Sequence, residues 1–319
     1  MADKTVKNLF CSYSLYFSAT KPLLPAAAKE VLLLNLPVEY GMIISEKRYL
    51  IRPEKVMHHK MKKLVFIEGV SGAGKSTLMQ NLAGRLCANG TNVRAWVEFD
   101  HTNPIDFYCT AALSGATFDA LTARFPEQRE ALLCNAILAG NWRLVRYYHG
   151  DDPVFPQPLR SELAAHELCY HPSKPVSLET YSEIFTAVWR SFAARLDIYE
   201  EDFLLFDGSL LHHPINDMLR NYRVTEAQAR RHVTALLAAL GSVPRQILYI
   251  QTEDIPVQLA KAHAERGQPA PTREEAAFWE TRRRYDSFVL SGLSEHCVFL
   301  DPAQGWDRMT QTAASSMFA

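Results

Sequence analysis

The chain alternates short apolar runs with longer segments of helical pattern from about residue 61 onward. Each apolar run is bounded by glycine or by polar residues, as expected of buried strands. Strands that alternate with helices form a parallel sheet with helices on both faces. The pattern therefore predicts an α/β fold with a five-stranded parallel sheet, whose strands lie near residues 64–67, 92–99, 202–208, 245–252 and 296–301.

Three helices are indicated by their end signals. Leu78, Leu82 and Leu86 form one apolar stripe that closes near Gly90, and glycine is the residue that commonly ends a helix. Residues 107–200, between the second and third strands, are predicted to be a predominantly helical insertion. Two later helices begin with capping-box spacing, at Thr225 with Gln228 and at Thr272 with Glu275.

A glycine-rich segment joins the first strand to the first helix. Gly69, Gly74, Lys75 and Ser76 match the spacing G-x-x-x-x-G-K-[ST] of a Walker A P-loop. Glycines let successive backbone N–H groups point into one concavity and hold phosphate oxygens, aided by the positive end of the following helix. We therefore predict that ATP is bound by Gly69, Ser71, Gly72, Ala73, Gly74, Lys75, Ser76 and Thr77.

Two of the predicted strands end in carboxylates. Asp207 follows the apolar run 203–206 in the Walker B arrangement, so we predict that it holds Mg²⁺ together with Ser76. Glu98 and Asp100 close the second strand, and their spacing of two places both on one face of an extended chain. They are predicted to face the phosphate acceptor. The alternative is that Asp100 caps a helix beginning near Pro104.

We predict that a lid segment supplies the positive charge that stabilises the transferred phosphoryl group. Arg266 and Arg273 flank the segment GQPAPT and are the candidates, although a charged helix face is more often only solvated. Within the insertion, Arg143, Arg146 and Tyr147 have helical spacing and are predicted to line the acceptor site. The alternative for these residues is core packing.

Two histidines follow the third strand. His212 and His213 lie shortly after Asp207, and this places them near the predicted phosphates. The sequence shows no third ligand at a suitable spacing, so a metal site at these histidines is not expected.

Composition excludes several classes of partner. The chain has 319 residues, of which 48% are hydrophobic and 22% charged, and its formal net charge is −1. A chain of this charge lacks the excess of basic residues that is typical of proteins that bind nucleic acid. No apolar run approaches the roughly 18 residues that a membrane span needs. The six cysteines are scattered, which is typical of reduced thiols in a cytoplasmic protein.

Residues 1–60 differ in character from the rest of the chain. They contain the proline-rich segment TKPLLPAAAKEVLLLNLPVEY, whereas MKKLVFIEG at Met61 has the form of a domain that begins at its own first strand. We expect residues 1–60 to be an accessory extension, or an upstream mis-start of translation, and residues 61–319 to be the catalytic domain. The alternative is a small N-terminal subdomain packed on the core.

These motifs together resemble one family. The segment FIEGVSGAGKST is similar to the opening of the thymidylate kinase and deoxynucleoside kinase branch of P-loop kinases, and VEFD, LLFDGS and a last strand ending in Asp are similar as well. The segment EFDHTNPIDF resembles one found in uncharacterised bacterial thymidylate-kinase-like proteins. The resemblance spans residues 61 to about 310. The chain differs from the characterised kinases of this branch in two features. Gly208 stands in place of the Arg of a D-R-[SYH] triplet, and the lid is reduced.

The resemblance implies a P-loop NTPase fold and a kinase activity. In deoxynucleoside kinases a carboxylate at this edge accepts the proton of the attacking hydroxyl, and this implies such a role for Asp100. The expected function is Mg²⁺- and ATP-dependent phosphoryl transfer to a small hydroxyl-bearing metabolite, either nucleoside-like or an antibiotic or other secondary metabolite. The alternatives are a nucleoside monophosphate kinase and an NTP-hydrolysing switch or nucleotide-binding interaction module. A homodimer is compatible with a kinase and with a switch or binding module.

Overall fold

The computed structural model describes residues 62–169 and 176–318. Within these ranges the strands are β1 (Lys63–Glu68), β2 (Val93–Trp96), β3 (Thr110–Ser114), β4 (Ala136–Ala139), β5 (Trp142–Arg146), β6 (Tyr148–His149), β7 (Asp152–Pro153), β8 (Phe203–Asp207), β9 (Arg245–Ile250) and β10 (Cys297–Leu300). The α-helices are α1 (Lys75–Ala88), α2 (Gly115–Arg124), α3 (Arg129–Asn135), α4 (Leu159–Ala164), α5 (Leu178–Ala193), α6 (His212–Asp217), α7 (Glu226–Ala239), α8 (Ile255–Glu265), α9 (Arg273–Ser291) and α10 (Trp306–Ser316). The prediction for residues 1–60 lies outside the described ranges.

The five predicted strands form one parallel sheet in the order β10-β9-β1-β8-β2. Alternate residues of the central strands are buried on opposite faces. Leu64 and Phe66 of β1 pack in a cluster with α5, α7 and α9, whereas Val65 and Ile67 pack with α1, α8 and α10. The predicted α/β fold, with a five-stranded parallel sheet flanked by helices, is confirmed.

The helix ends follow the sequence signals. Thr225 and Gln228 form the capping box of α7, and the side chain of Thr272 accepts from the backbone N–H of Glu275 in α9. Helix α1 ends at Ala88, and Gly90, which follows the C-cap residue Asn89, takes a left-handed φ of 77°. Among the described residues, no helix combines the length and apolar character needed to cross a membrane.

The prediction of a predominantly helical insertion between β2 and β8 is confirmed only in part, because helices are joined there by strands. This region holds a three-stranded antiparallel sheet in the order β3-β5-β4 and the strand pair β6-β7, together with α2, α3, α4 and α5. The segment predicted to be helical at residues 142–147 is mostly strand β5. The apolar and β-branched residues there pair with two neighbouring strands, and such tertiary pairing overrides a helical spacing that is only a few residues long.

Acid should destabilise the protein through His232 of α7. Its ring is buried, its Nδ1 lies 2.9 Å from Oγ of Ser182 on α5, and burial lowers its pKa to about 4. In the unfolded chain the group titrates near about 6.5, so the unfolded state takes up its proton first as the pH falls. Because of this group, the free energy of unfolding is therefore expected to fall by about 3 kcal/mol as the pH drops from about 6.5 to about 4.

Denaturant unfolding from about pH 7 to about pH 4 measures this loss, with His232→Gln as the variant that cannot titrate. The variant should show a shallower decline in unfolding free energy than the wild type. His296→Gln, which removes an exposed histidine, should follow the wild-type decline. An unchanged decline in His232→Gln would show that His232 is not responsible.

Candidate active site

The glycine-rich loop lies at the carboxyl end of β1, the central strand, and leads into α1. Two of its glycines are required by both conformation and space. Gly74 has a φ of 94°, and a Cβ there would lie 2.3 Å from the ring of Trp306, the first residue of α10. Gly72 has a φ of 73°, and its Cβ would lie 2.7 Å from Cβ of Ala262. Helices α8 and α10 therefore pack directly against the loop.

Lys75 begins α1 and folds back over the loop. Its side chain is only 7% exposed, and its Nζ donates to the carbonyl oxygens of Gly69 (3.3 Å) and Val70 (3.2 Å). This places a buried ammonium group at the positive N-terminal end of a helix, next to a concave glycine loop. Such a position favours an anion.

Ser76 and Asp207 come together next to Lys75. The Ser76 hydroxyl donates to Oδ2 of Asp207 over 2.5 Å, and Asp207, the last residue of β8, is 1% exposed. Within the described residues, Oδ1 of Asp207 is buried without a hydrogen-bond partner. Burial raises the pKa of this carboxyl and the charge of Lys75 opposes the rise. A buried carboxylate oxygen beside a hydroxyl is a donor set that fits Mg²⁺, which prefers oxygen ligands.

Glu68 links the glycine loop to the loop after β8. Its carboxylate is fully buried and accepts backbone N–H groups of Leu210 (2.8 Å) and His212 (2.9 Å). Burial raises the pKa of this carboxyl to about 7, against the effect of these hydrogen bonds. Sequence reasoning found Glu68 only as part of the family motif. Its structural role is to place the two histidines that come after Leu211.

The two histidines face Glu98. Nε2 of His213 lies 3.4 Å, and Nε2 of His212 lies 3.9 Å, from Oε1 of Glu98. The other ring nitrogen of His213, Nδ1, is paired with the carboxylate of Asp106. The sequence shows no third ligand at a suitable spacing, but the structure supplies one, because Glu98 is more than 110 residues away in sequence and only the fold brings it close.

The electrostatics of this cluster differ from residue to residue. Burial lowers the pKa of His213, but the carboxylates of Asp106 and Glu98 outweigh burial and hold that pKa well above its usual value. Burial and the charge of Lys75 hold the pKa of His212 well below its usual value. For Glu98, burial raises the pKa, but the hydrogen bond and charge of His213 outweigh it, with help from Lys75, so the pKa is lowered.

Asp100 lies in a turn beyond the end of its strand. Strand β2 ends at Trp96 and Phe99 has a left-handed φ of 64°, so the prediction that Glu98 and Asp100 share one face of a strand is wrong. Oδ1 of Asp100 accepts from the backbone N–H (2.8 Å) and the hydroxyl (2.7 Å) of Thr102. No helix begins near Pro104, so the alternative of a helix cap is wrong as well, and Asp100 instead stabilises this turn.

The two predicted lid arginines lie on either side of the connection between α8 and α9, and both are exposed. Arg266 follows the end of α8, and its charge acts on Glu98. Arg273 is the first residue of α9. The buried arginine of α9 is Arg282, which donates to Asp286 (2.6 Å) and belongs to the core.

The three residues of the insertion that are predicted to line the acceptor site lie in different surroundings. Arg146 is buried and donates to the carbonyl oxygens of Asn103 (2.6 Å) and Asp106 (2.9 Å), so it supports the loop that carries Asp106. Tyr147 lies in a third apolar cluster, within the insertion, and donates to Glu167. Arg143 is half-buried on β5. The predicted helical arrangement of these three residues is wrong, because residues 142–146 form strand β5, and a role for them in acceptor binding stays a prediction.

Comparison with known proteins does not place the chain in a family. No protein-family model matches it, and no curated protein matches it. The function has to be argued from the geometry of the site.

Proposed function

We propose that the protein is a P-loop kinase, which transfers a phosphoryl group from Mg²⁺-ATP to a hydroxyl of a small metabolite. One observation carries the proposal: the glycine loop, Lys75 and the Ser76–Asp207 pair converge at the carboxyl ends of two neighbouring parallel strands, β1 and β8. Ligands of open α/β sheets bind at this edge. These groups match the needs of a nucleoside triphosphate, namely N–H donors, a cation and oxygen ligands for Mg²⁺.

The residues of the loop would act mainly by positioning and by charge. Backbone N–H groups of the loop hold the phosphates, and Lys75 lies where its charge can offset the charge that grows between the β- and γ-phosphates. Ser76 and Asp207 would hold Mg²⁺, which when bound neutralises phosphate oxygens. Exposed Arg266 and Arg273 would add positive charge on closure of the segment between α8 and α9.

The acceptor would bind near the residues that follow β2. This region carries the carboxylates of Glu98, Asp100 and Asp106; Glu98 and Asp106 share the single ring of His213, so the region keeps an excess of negative charge. Negative charge disfavours a second phosphate and suits a neutral hydroxyl that must lose a proton. The arrangement therefore favours a hydroxyl acceptor over a nucleoside monophosphate, and Asp100 is the carboxylate to which we assign the role of general base.

Release of ADP with and without candidate acceptors tests the proposal. A kinase should release ADP slowly alone and at least about tenfold faster with its acceptor, because a positioned hydroxyl reacts faster than water. Nucleosides, nucleoside monophosphates, aminoglycosides and phenolic metabolites form the acceptor panel. ADP release that no acceptor in the panel accelerates, at a rate that depends only on nucleotide, would favour a hydrolytic switch.

The same assay tests the metal assignment. Asp207→Asn should require at least about tenfold more Mg²⁺ for half-maximal rate, both for transfer and for slow hydrolysis, since the metal is needed whichever nucleophile attacks. Asp197→Asn changes an exposed aspartate after α5 and should leave the Mg²⁺ requirement unchanged. Equal Mg²⁺ requirements in Asp207→Asn and in the wild type would contradict the assignment.

A further inference from the structure

Two imidazoles and one carboxylate converge beside the Ser76–Asp207 pair. The ligand atoms offered by Glu98, His212 and His213 all lie within 4.8 Å of one another. In a tetrahedral zinc site with bonds of about 2.0–2.1 Å, neighbouring ligand atoms lie about 3.3 Å apart. The distances from Oε1 of Glu98 are 3.4 Å to His213 and 3.9 Å to His212. A small movement of the Glu98 side chain, which is 35% exposed, would bring the three groups into a coordination shell.

Both imidazoles are held by partners of the kind that support metal ligands. Nδ1 of His213 is paired with the carboxylate of Asp106, and Nδ1 of His212 lies 3.1 Å from the carbonyl oxygen of Gly69. Carboxylates and carbonyl groups accept hydrogen bonds, so a proton on each Nδ1 satisfies them and leaves each Nε2 directed toward Glu98. Ligating histidines in metalloproteins almost always have such a second partner. Lys75 also approaches Nδ1 of His212 at 3.2 Å, and a bound ion would select the tautomer whose proton goes to Gly69.

Packing also restrains the two rings before any ion binds. The ring of His212 stacks on Trp279 with centroids 5.4 Å apart, and that of His213 stacks on Phe99 with centroids 6.0 Å apart. Both rings are buried. Rigid ligands that need little reorganisation lose little conformational entropy on binding, so the cluster is preorganised for an ion.

The ligand types decide which ion fits. Mg²⁺ prefers oxygen ligands and keeps several waters, which suits Ser76 and Asp207 but not two imidazoles. Zn²⁺ and Co²⁺ accept two histidines and one carboxylate, and three protein ligands leave a fourth position for water or for a ligand oxygen. We propose that Glu98, His212 and His213 bind one zinc-class divalent cation, at a site separate from the proposed Mg²⁺ position. This inference does not depend on the proposed phosphoryl transfer.

Titration of the chelator-treated full chain with Zn²⁺ tests the site, in the absence of nucleotide and in excess Mg²⁺. Isothermal titration calorimetry should show a Zn²⁺ site in the wild type, and Co²⁺ should give the visible absorption of a tetrahedral complex. Asp106→Asn should weaken Zn²⁺ binding by about 10- to 100-fold, the usual cost of losing a partner that orients a ligating histidine. Glu98→Gln should weaken it at least as much, and because Glu98 is not in the core this variant should fold.

Two further variants separate this site from other metal binding. His296→Gln removes an exposed histidine and should bind Zn²⁺ as the wild type does. Asp207→Asn should keep the Zn²⁺ site, because the proposal gives that residue to Mg²⁺. Absence of Zn²⁺ binding by the wild type, or equal Zn²⁺ affinity in Glu98→Gln and the wild type, would overturn the proposal. Neither result would bear on the kinase assay, which measures ADP.

Discussion

Replacing Lys75 with alanine should reduce the rate of phosphoryl transfer at least about 100-fold, which corresponds to about 2.7 kcal/mol of barrier. The ammonium group is buried against the glycine loop and donates to the carbonyl oxygens of Gly69 and Val70. In the transition state it would instead meet phosphate oxygens whose negative charge is increasing, in a site that excludes much of the water. The interaction is therefore stronger in the transition state than in the resting protein.

The Lys75→Ala protein should remain folded. The two hydrogen bonds that it loses contribute about 1 kcal/mol each, and removal of a buried charge offsets part of that loss. Lys63→Ala is the matched control, because Lys63 begins β1 at the end opposite the glycine loop, where its Nζ donates to the carbonyl oxygen of Met317. The rate constant from steady-state kinetics and the circular dichroism spectrum are the measurements. A folded Lys75→Ala protein with wild-type turnover would show that the loop is not catalytic.

Asp100→Asn should lower the rate of transfer to a hydroxyl acceptor by about 10² to 10⁴, the usual contribution of a general base. At this position the substitution removes the negative charge and keeps the hydrogen bonds of the turn. Oδ1 of Asp100 accepts both hydrogen bonds from Thr102, and the amide oxygen of asparagine can accept the same bonds. The turn should therefore survive while the proton acceptor is lost, and nucleotide affinity and melting temperature should stay near their wild-type values.

Thr102→Val is the reciprocal control for this prediction. It removes the hydroxyl that donates to Asp100 over 2.7 Å and leaves the carboxylate in place. It should cost stability of about 1 kcal/mol with little change in transfer rate. If Asp100→Asn loses stability instead of transfer, Asp100 acts only in the turn, and the acceptor already carries an ionised phosphate.

The parts of the fold that the sequence predicts correctly depend on local signals. The three inner strands of the parallel sheet, β1, β8 and β9, are short apolar runs and are buried as their pattern requires, whereas the edge strands β2 and β10 are only partly buried. The glycine loop is also predicted by a local signal. Gly74 has a φ of 94°, a backbone conformation that glycine adopts at the lowest cost. The capping residues Thr225 and Thr272 mark their helices for the same reason.

The insertion shows where local pattern is not sufficient. Its segment around Arg143 has spacing compatible with a helix, yet it forms a strand between β3 and β4. The free energy that decides this comes from pairing on both sides, with β4 across the two-residue turn Gly140–Asn141 and with β3 earlier in the insertion. The same pairing places Tyr147 in the separate apolar cluster of the insertion and leaves Arg146 to support the loop of Asp106.

The sequence by itself therefore determined the parallel sheet, the glycine loop, the positions of Lys75 and Ser76 at the start of α1 and that of Asp207 at the end of β8, because each depends on a backbone conformation or a burial pattern within a few residues. Only the tertiary structure decided which side chains meet at the edge of that sheet. Glu68 draws His212 toward the glycine loop through a buried carboxylate, and Asp106 orients His213 toward Glu98. These contacts join residues more than 100 positions apart, and they form because closing the core brings separate strand ends to one place, where buried polar groups must find partners.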